Sequence, residues 1–106
     1  MILLHLISDD EEKINTIADI LVQERLILNA VLIRDVKTRR RNKDGNLETI
    51  QQTLMTGKTK ALLFNEIEKR LLEMYSEEEM PVLYSVPIVN MEWHQTDELK
   101  EETKKI

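Results

Sequence analysis

Two histidines, a run of three glutamates and a Thr-Gly-Lys-Thr tetrapeptide are the residues of this 106-residue chain whose types and spacing could do chemistry. His5 lies inside an apolar run, where a hydrogen-bonded core histidine is the plainer reading. His94 follows Trp93 and has Glu92 and Asp97 nearby, so imidazole and carboxylate together could ligate a borderline metal. Such a site needs three or four converging donors. Trp93 reads as a packing anchor across a subunit boundary. Glu77-Glu78-Glu79 offers hard oxygen donors suited to Mg²⁺ or Ca²⁺, but consecutive side chains seldom converge on one ion, and a solvated loop is preferred. Thr56-Gly57-Lys58-Thr59 ends like a phosphate-binding loop, yet Gln52 stands where that loop needs its first glycine. Gly57 ending a strand and Thr59 capping a helix is the better reading. No cysteine is present, which excludes disulfides, thiolate metal sites and thiol nucleophiles. No serine, histidine and aspartate pattern or nucleophile–base pair stands out, so no catalytic site is expected.

The elements that must position these residues follow from apolar spacing. Ile2 to Ile7 is too short for an independent helix and reads as a strand buried on both faces. Ser8 stands three residues before Glu11, the spacing of a capping box, and Asp9, Asp10 and Glu12 suit the positive end of a helix dipole. Ile14, Ile17, Ala18, Leu21 and Val22 then form one helical stripe. A second strand is expected from Leu26, buried at first and becoming exposed as Arg34, Lys37 and Arg39 to Arg41 appear, followed by an Asp44-Gly45 turn and a return strand from Leu47 to Thr56. A second helix from Lys60 to Tyr75 carries Leu63, Phe64, Ile67 and Leu71 on one face. Pro81 opens a last strand to Val89, with Pro87 suited to an edge, and Thr96 suits the N-cap of a short terminal helix. The order βαββαβ predicts an α+β, ferredoxin-like fold: a four-stranded antiparallel sheet with two helices on one face, plus a short C-terminal helix. One domain over residues 1–106 is expected, with a core at 2–89 and a tail at 90–106.

Charge is unevenly placed. Between Arg34 and Lys60 there are eight Lys or Arg and three Asp or Glu, a balance of +5; the net charge is −5, so the rest carries −10. The stretch Arg34 to Lys43 could grip phosphate, but Ile2–Ile7 and Leu47–Thr56 hold no aromatic residue on which a base could stack. The acidic total also opposes nonspecific binding to nucleic acid. A charged hairpin guarding its edges or meeting an acidic neighbour is preferred. No apolar run reaches membrane-spanning length, and the start has the wrong flanks for a signal peptide. A soluble cytoplasmic protein is expected.

Four places resemble the CutA-type divalent-cation tolerance proteins, small ferredoxin-like trimers related to PII signalling proteins. They are Ser8-Asp9-Asp10-Glu11 after the first strand, Leu21-Val22-Gln23-Glu24-Arg25-Leu26 at the first helix end, Lys58-Thr59 before the second helix, and Glu79-Met80-Pro81 with the later Val86-Pro87-Ile88. The resemblance implies a homotrimer whose intersubunit clefts respond to divalent metal ions or sense a small ligand, without enzymatic activity. It points to Lys58, Glu79 and Trp93 at such a cleft, and to His94 and Glu79 for a metal. Asn29 stands where the family usually has cysteine, and Ser76-Glu77-Glu78 where it has His-Pro-Tyr, so copper is disfavoured. The alternative is a PII-like regulator of an anionic metabolite or partner protein, and a weaker one is a nucleic-acid-binding hairpin.

Overall fold

A computed structural model describes all of residues 1–106. Its elements run β1 (Ile2–Ser8), α1 (Glu11–Gln23), β2 (Val31–Arg41), β3 (Leu47–Thr59), a 3₁₀ turn (Ala61–Leu63), α2 (Phe64–Met74), β4 (Val82–Pro87) and α3 (Trp93–Glu102). The four strands form one antiparallel sheet in the order β2-β3-β1-β4. This is the expected ferredoxin-like arrangement, and it places β1 centrally with Pro87 on an edge strand, where a missing amide costs no ladder bond.

The core forms where the helices cover the sheet. Leu4 and Leu6 from β1 and Met55 from β3 meet Ile14, Ile17, Ala18 and Leu21 of α1, together with Leu63, Ile67 and Leu71 around α2. Each buried Leu, Ile or Met among them contributes about 1.5–3 kcal/mol by leaving water. In β1 the burial alternates, so Leu3, His5 and Ile7 lie on the other face and are only partly covered. The expectation of a strand buried on both faces is therefore corrected: one sheet with one helical layer covers only half of its surface.

Several boundaries differ from those the sequence predicts, each for a local reason. Asp10, not Ser8, caps α1 by accepting the Lys13 amide (3.1 Å), while Ser8 Oγ accepts the Asp10 amide (3.0 Å). Glu92, not Thr96, caps α3, accepting the Gln95 amide (2.9 Å). Strand β2 begins at Val31; Leu26 and Ile27 are buried in a connection, not paired in the sheet. Arg25 starts that connection in the left-handed region (φ 61°). Strand β3 continues through Gly57, opposite Leu4, to Thr59, whose buried hydroxyl donates to the Leu26 carbonyl (2.6 Å). Gly57 thus lies inside the strand and Thr59 ties β3 to the connection; neither ends nor caps as expected.

Strands β2 and β3 run past the body as a hairpin. Register pairs Ser8 with Thr53 and Ile7 with Val82, so residues 36–52 extend beyond the end of β1 from which α1 departs. A bulge between Ile33 and Val36, with Asp35 at φ 58°, marks where the arm leaves the body.

Candidate functional site

Three rows of side chains cross the uncovered sheet face, read directly from the register. Ile33, Leu54, Ile7 and Val82 form one row; Val31, Thr56, His5 and Tyr84 form the next; Lys58, Leu3 and Val86 form the third. The edges of this face are open, with Val31 50% exposed and Val82 54% exposed. β-branched and aliphatic residues on a pleated surface favour strand, and here they also leave a contiguous apolar face in water. Such a surface marks a contact site more often than a solvated one.

At the centre of the face, His5 Nδ1 lies 3.1 Å from the Tyr84 hydroxyl, and the rings stand 4.9 Å apart. His5 Nε2 is shielded from solvent and has no hydrogen-bond partner. The histidine is therefore only half satisfied, where a fully bonded core histidine was expected. Lys58 sits on the same face and makes no ion pair.

The acidic residues gather at the end of the sheet from which the hairpin projects. Lys13 Nζ donates to the Glu79 carbonyl (2.8 Å) and lies 5.1 Å above the Tyr75 ring, so the start of α1 is tied to the loop before β4. The Glu79 carboxylate accepts from Ser76 Oγ (2.8 Å) and the Ser76 amide (3.3 Å); these bonds, the hydroxyl's first, hold its pKa below the ordinary carboxylate value. Trp93, 75% exposed, and His94 follow β4 at the opposite end. His94 Nδ1 meets Glu92 Oε1 at 2.9 Å, and this contact followed by the Gln95 amide lowers the Glu92 pKa. The six-residue β4 separates Glu79 from His94 by roughly 20 Å of strand. One chain therefore does not bring Glu79 and His94 onto one ion, and no cluster of three or more His, Asp or Glu suited to a metal forms. Lys58 and Trp93 lie toward the same end of the sheet, with Glu79 at the other.

Two further clusters escaped sequence reasoning. Arg25 donates from Nε to the Glu102 carbonyl (2.8 Å) and from Nη2 to the Glu101 carbonyl (2.6 Å), while Lys60 Nζ reaches the carbonyls of Thr103 (3.3 Å) and Lys104 (2.9 Å). Desolvation, then the Lys105 and Arg25 charges, lowers the Lys60 pKa. Nearby, Arg70 forks onto Glu24 (2.9 Å from both Nε and Nη2), and Lys104 pairs with Glu66. The Arg70 hydrogen bonds hold Glu24 below its usual pKa, and Glu24 raises that of Arg70. These groups surround a hollow of about 230 Å³, but their paired charges make it a structural clasp for the tail. Residues far apart in sequence build it, and no local pattern signals it.

No protein-family model and no curated protein sequence matches the chain. Among solved structures, a variant of CutA1 from Pyrococcus horikoshii OT3 matches with a TM-score of 0.85 at 25% identity, over 99% of this chain and 100% of that one. The chain has the fold of the CutA1 proteins, and a divergent member fits. The divalent cation tolerance protein CutA1 from Thermus thermophilus matches comparably, with a TM-score of 0.84, 25% identity and coverage of 98% and 100%. The periplasmic divalent cation tolerance protein CutA from Archaeoglobus fulgidus shares the fold, with a TM-score of 0.83, at 20% identity and with coverage of 98% and 100%. The four short motifs that resemble CutA thus sit in a complete CutA-type fold. No helix is long and apolar enough to cross a membrane.

Proposed function

We propose that this chain is a non-enzymatic, cytoplasmic CutA-like module that works as a homotrimer and responds to divalent metal ions or a small ligand at clefts between subunits. The observation that carries this reading is the uncovered sheet face, largely apolar along its rows and centred on a half-satisfied His5. Covering it with other copies removes apolar surface from water in the way helices already do on the opposite face. Lys58, Glu79 and Trp93 are then cleft residues only if different chains contribute them, since one chain spreads them over both sheet ends. His94 with Glu79 requires the same to hold a metal. Lys58, charged and without an ion-pair partner beside the apolar face, favours an anionic metabolite as the second ligand class.

Sedimentation equilibrium at micromolar concentration tests the assembly, with a trimer as the expected result. Ile7→Lys places a charge among the apolar rows and should yield a folded monomer. A wild-type protein that is strictly monomeric overturns the reading. Thermal-shift measurements with divalent cations and with anionic metabolites then separate the two ligand classes.

A further inference from the structure

The hairpin arm sorts its charges by face. Thr38 and Arg40 share the face continuous with the apolar rows, and there Thr38 Oγ1 meets Gln52 Oε1 (2.6 Å) and Arg40 Nε meets Glu48 Oε1 (2.9 Å). Lys37, Arg39 and Arg41 alternate with them on the other face, opposite Gln51, Thr49 and Leu47, and none forms an ion pair. Alternate strand residues stand about 6.6–6.8 Å apart, so these three cations form an exposed ridge. Leu47 beside them is 77% exposed, and the helical layer does not reach this part of the sheet.

The complementary charge is on the same molecule. Asp9, Glu12, Glu77 and Glu78 are exposed where α1 begins and where the chain enters β4, and Lys13 joins those two places. The hairpin cations and this glutamate run lie at the same end of the sheet but at opposite edges, the arm extending β2–β3 and the glutamates preceding β4. Arg34, at the base of the arm, already uses Glu11 of its own chain (3.5 Å), whereas the ridge lies farther out.

We propose that the arm is a charge-keyed docking element for a second copy of this chain, with Lys37, Arg39 and Arg41 seating against the neighbour's acidic end. It rests on the assembly reading above and adds what orients that assembly. A two-fold contact pairs two such patches only where both lie in one interface; set at opposite edges, they suit a head-to-tail ring in which every chain both gives and receives. Exposed ion pairs add little affinity individually, so their effect falls on orientation and partner choice.

The test is a charge exchange read by sedimentation velocity, with circular dichroism confirming folded variants. Arg39→Glu with Arg41→Glu should raise the dissociation concentration about tenfold at low salt. Adding Glu77→Lys and Glu78→Lys to the same chain should recover most of that loss. Arg40→Gln, on the neutralised face, should change it little. The differences should shrink as the Debye length falls from about 30 Å at 0.01 M to about 3 Å at 1 M salt. Folded variants that assemble equally well, or losses that add without rescue, overturn the charge key while leaving the assembly itself standing. A monomeric wild type overturns both. If the ridge reversal spares assembly but abolishes salt-dependent binding of single-stranded RNA, the partner is nucleic acid and the proposal is wrong.

Discussion

Replacing Gly57 with alanine is expected to destabilise the fold, because no room exists for the added methyl group. A Cβ at this position would lie 2.9 Å from the Asn29 carbonyl oxygen and 2.9 Å from Ile27 Cδ1, with Ile27 Cβ at 3.4 Å. The isoleucine tip can turn aside, but the carbonyl cannot do so cheaply. Its segment is held by the Leu28 amide donating to the Lys58 carbonyl (2.8 Å) and by Thr59 Oγ1 donating to the Leu26 carbonyl (2.6 Å). Overpacking of this kind costs about 1–3 kcal/mol. Alanine also restricts the unfolded chain, which returns about 0.4–1 kcal/mol. The net expectation is a loss of about 1–2 kcal/mol, with Tm falling by about 4–8 °C for each kcal/mol in a domain near this size. Urea unfolding at matched protein concentration should show a lower midpoint with an unchanged slope. Adding Ile27→Val should not restore the wild-type midpoint, since the carbonyl contact remains. Equal or greater stability in Gly57→Ala would refute the close approach of the connection to β3. Loss of phosphate-ligand binding at unchanged stability would instead revive the phosphate-loop reading of Thr56-Gly57-Lys58-Thr59.

Three further outcomes are expected. Thr59→Val removes the donor to the buried Leu26 carbonyl and should cost about 1–3 kcal/mol by urea unfolding; a change below the measurement error would remove that bond from the account. Glu79 has a lowered folded pKa, so its contribution to stability is present above the ordinary value near 4.3 and lost as pH falls through the depressed one. Ser76→Ala should return the Glu79 titration, followed by NMR, part of the way toward the ordinary range, and an unmoved midpoint would rule out the serine hydroxyl as its leading cause. Copper should bind weakly, since no cluster of three ligating side chains forms and carboxylates favour harder ions. Tight stoichiometric binding by calorimetry that survives both His5→Ala and His94→Ala would contradict this.

The sheet order and both packed helices were legible in the sequence because their signals are periodic. The stripe Ile14, Ile17, Ala18, Leu21 needs only a helical period, and these residues are buried as expected. The start of β2 was not legible, because Leu26 and Ile27 are apolar for a reason that period does not encode. They fill the core from an irregular connection, and a short buried run looks the same in a strand and in a packed loop. Caps shifted by a few residues at Asp10 and Glu92 because several neighbouring side chains are chemically competent, and only backbone geometry chooses among them. The candidate site was harder still. Lys58, Glu79, Trp93 and His94 were singled out one by one, but their separation depends on the end of the sheet each occupies: Glu79 precedes β4, Trp93 and His94 follow it, and Lys58 pairs with Leu3 toward that second end.

The central place of β1 has a consequence for how the chain matures during synthesis. Its apolar run from Ile2 to Ile7 emerges long before both flanking partners: Ile2 pairs with Thr59 on one side and with Pro87 on the other. Loop closure over such separations is slow. A nascent chain therefore carries a bare hydrophobic strand, with two unpaired edges, through most of this domain's translation. The helix stripe of α1, which follows immediately, is the nearest apolar surface that can shield it, by folding back on Leu4 and Leu6 before any ladder forms. Sequences that weaken α1 would then reveal themselves first as aggregation on the ribosome, ahead of any loss in the finished protein.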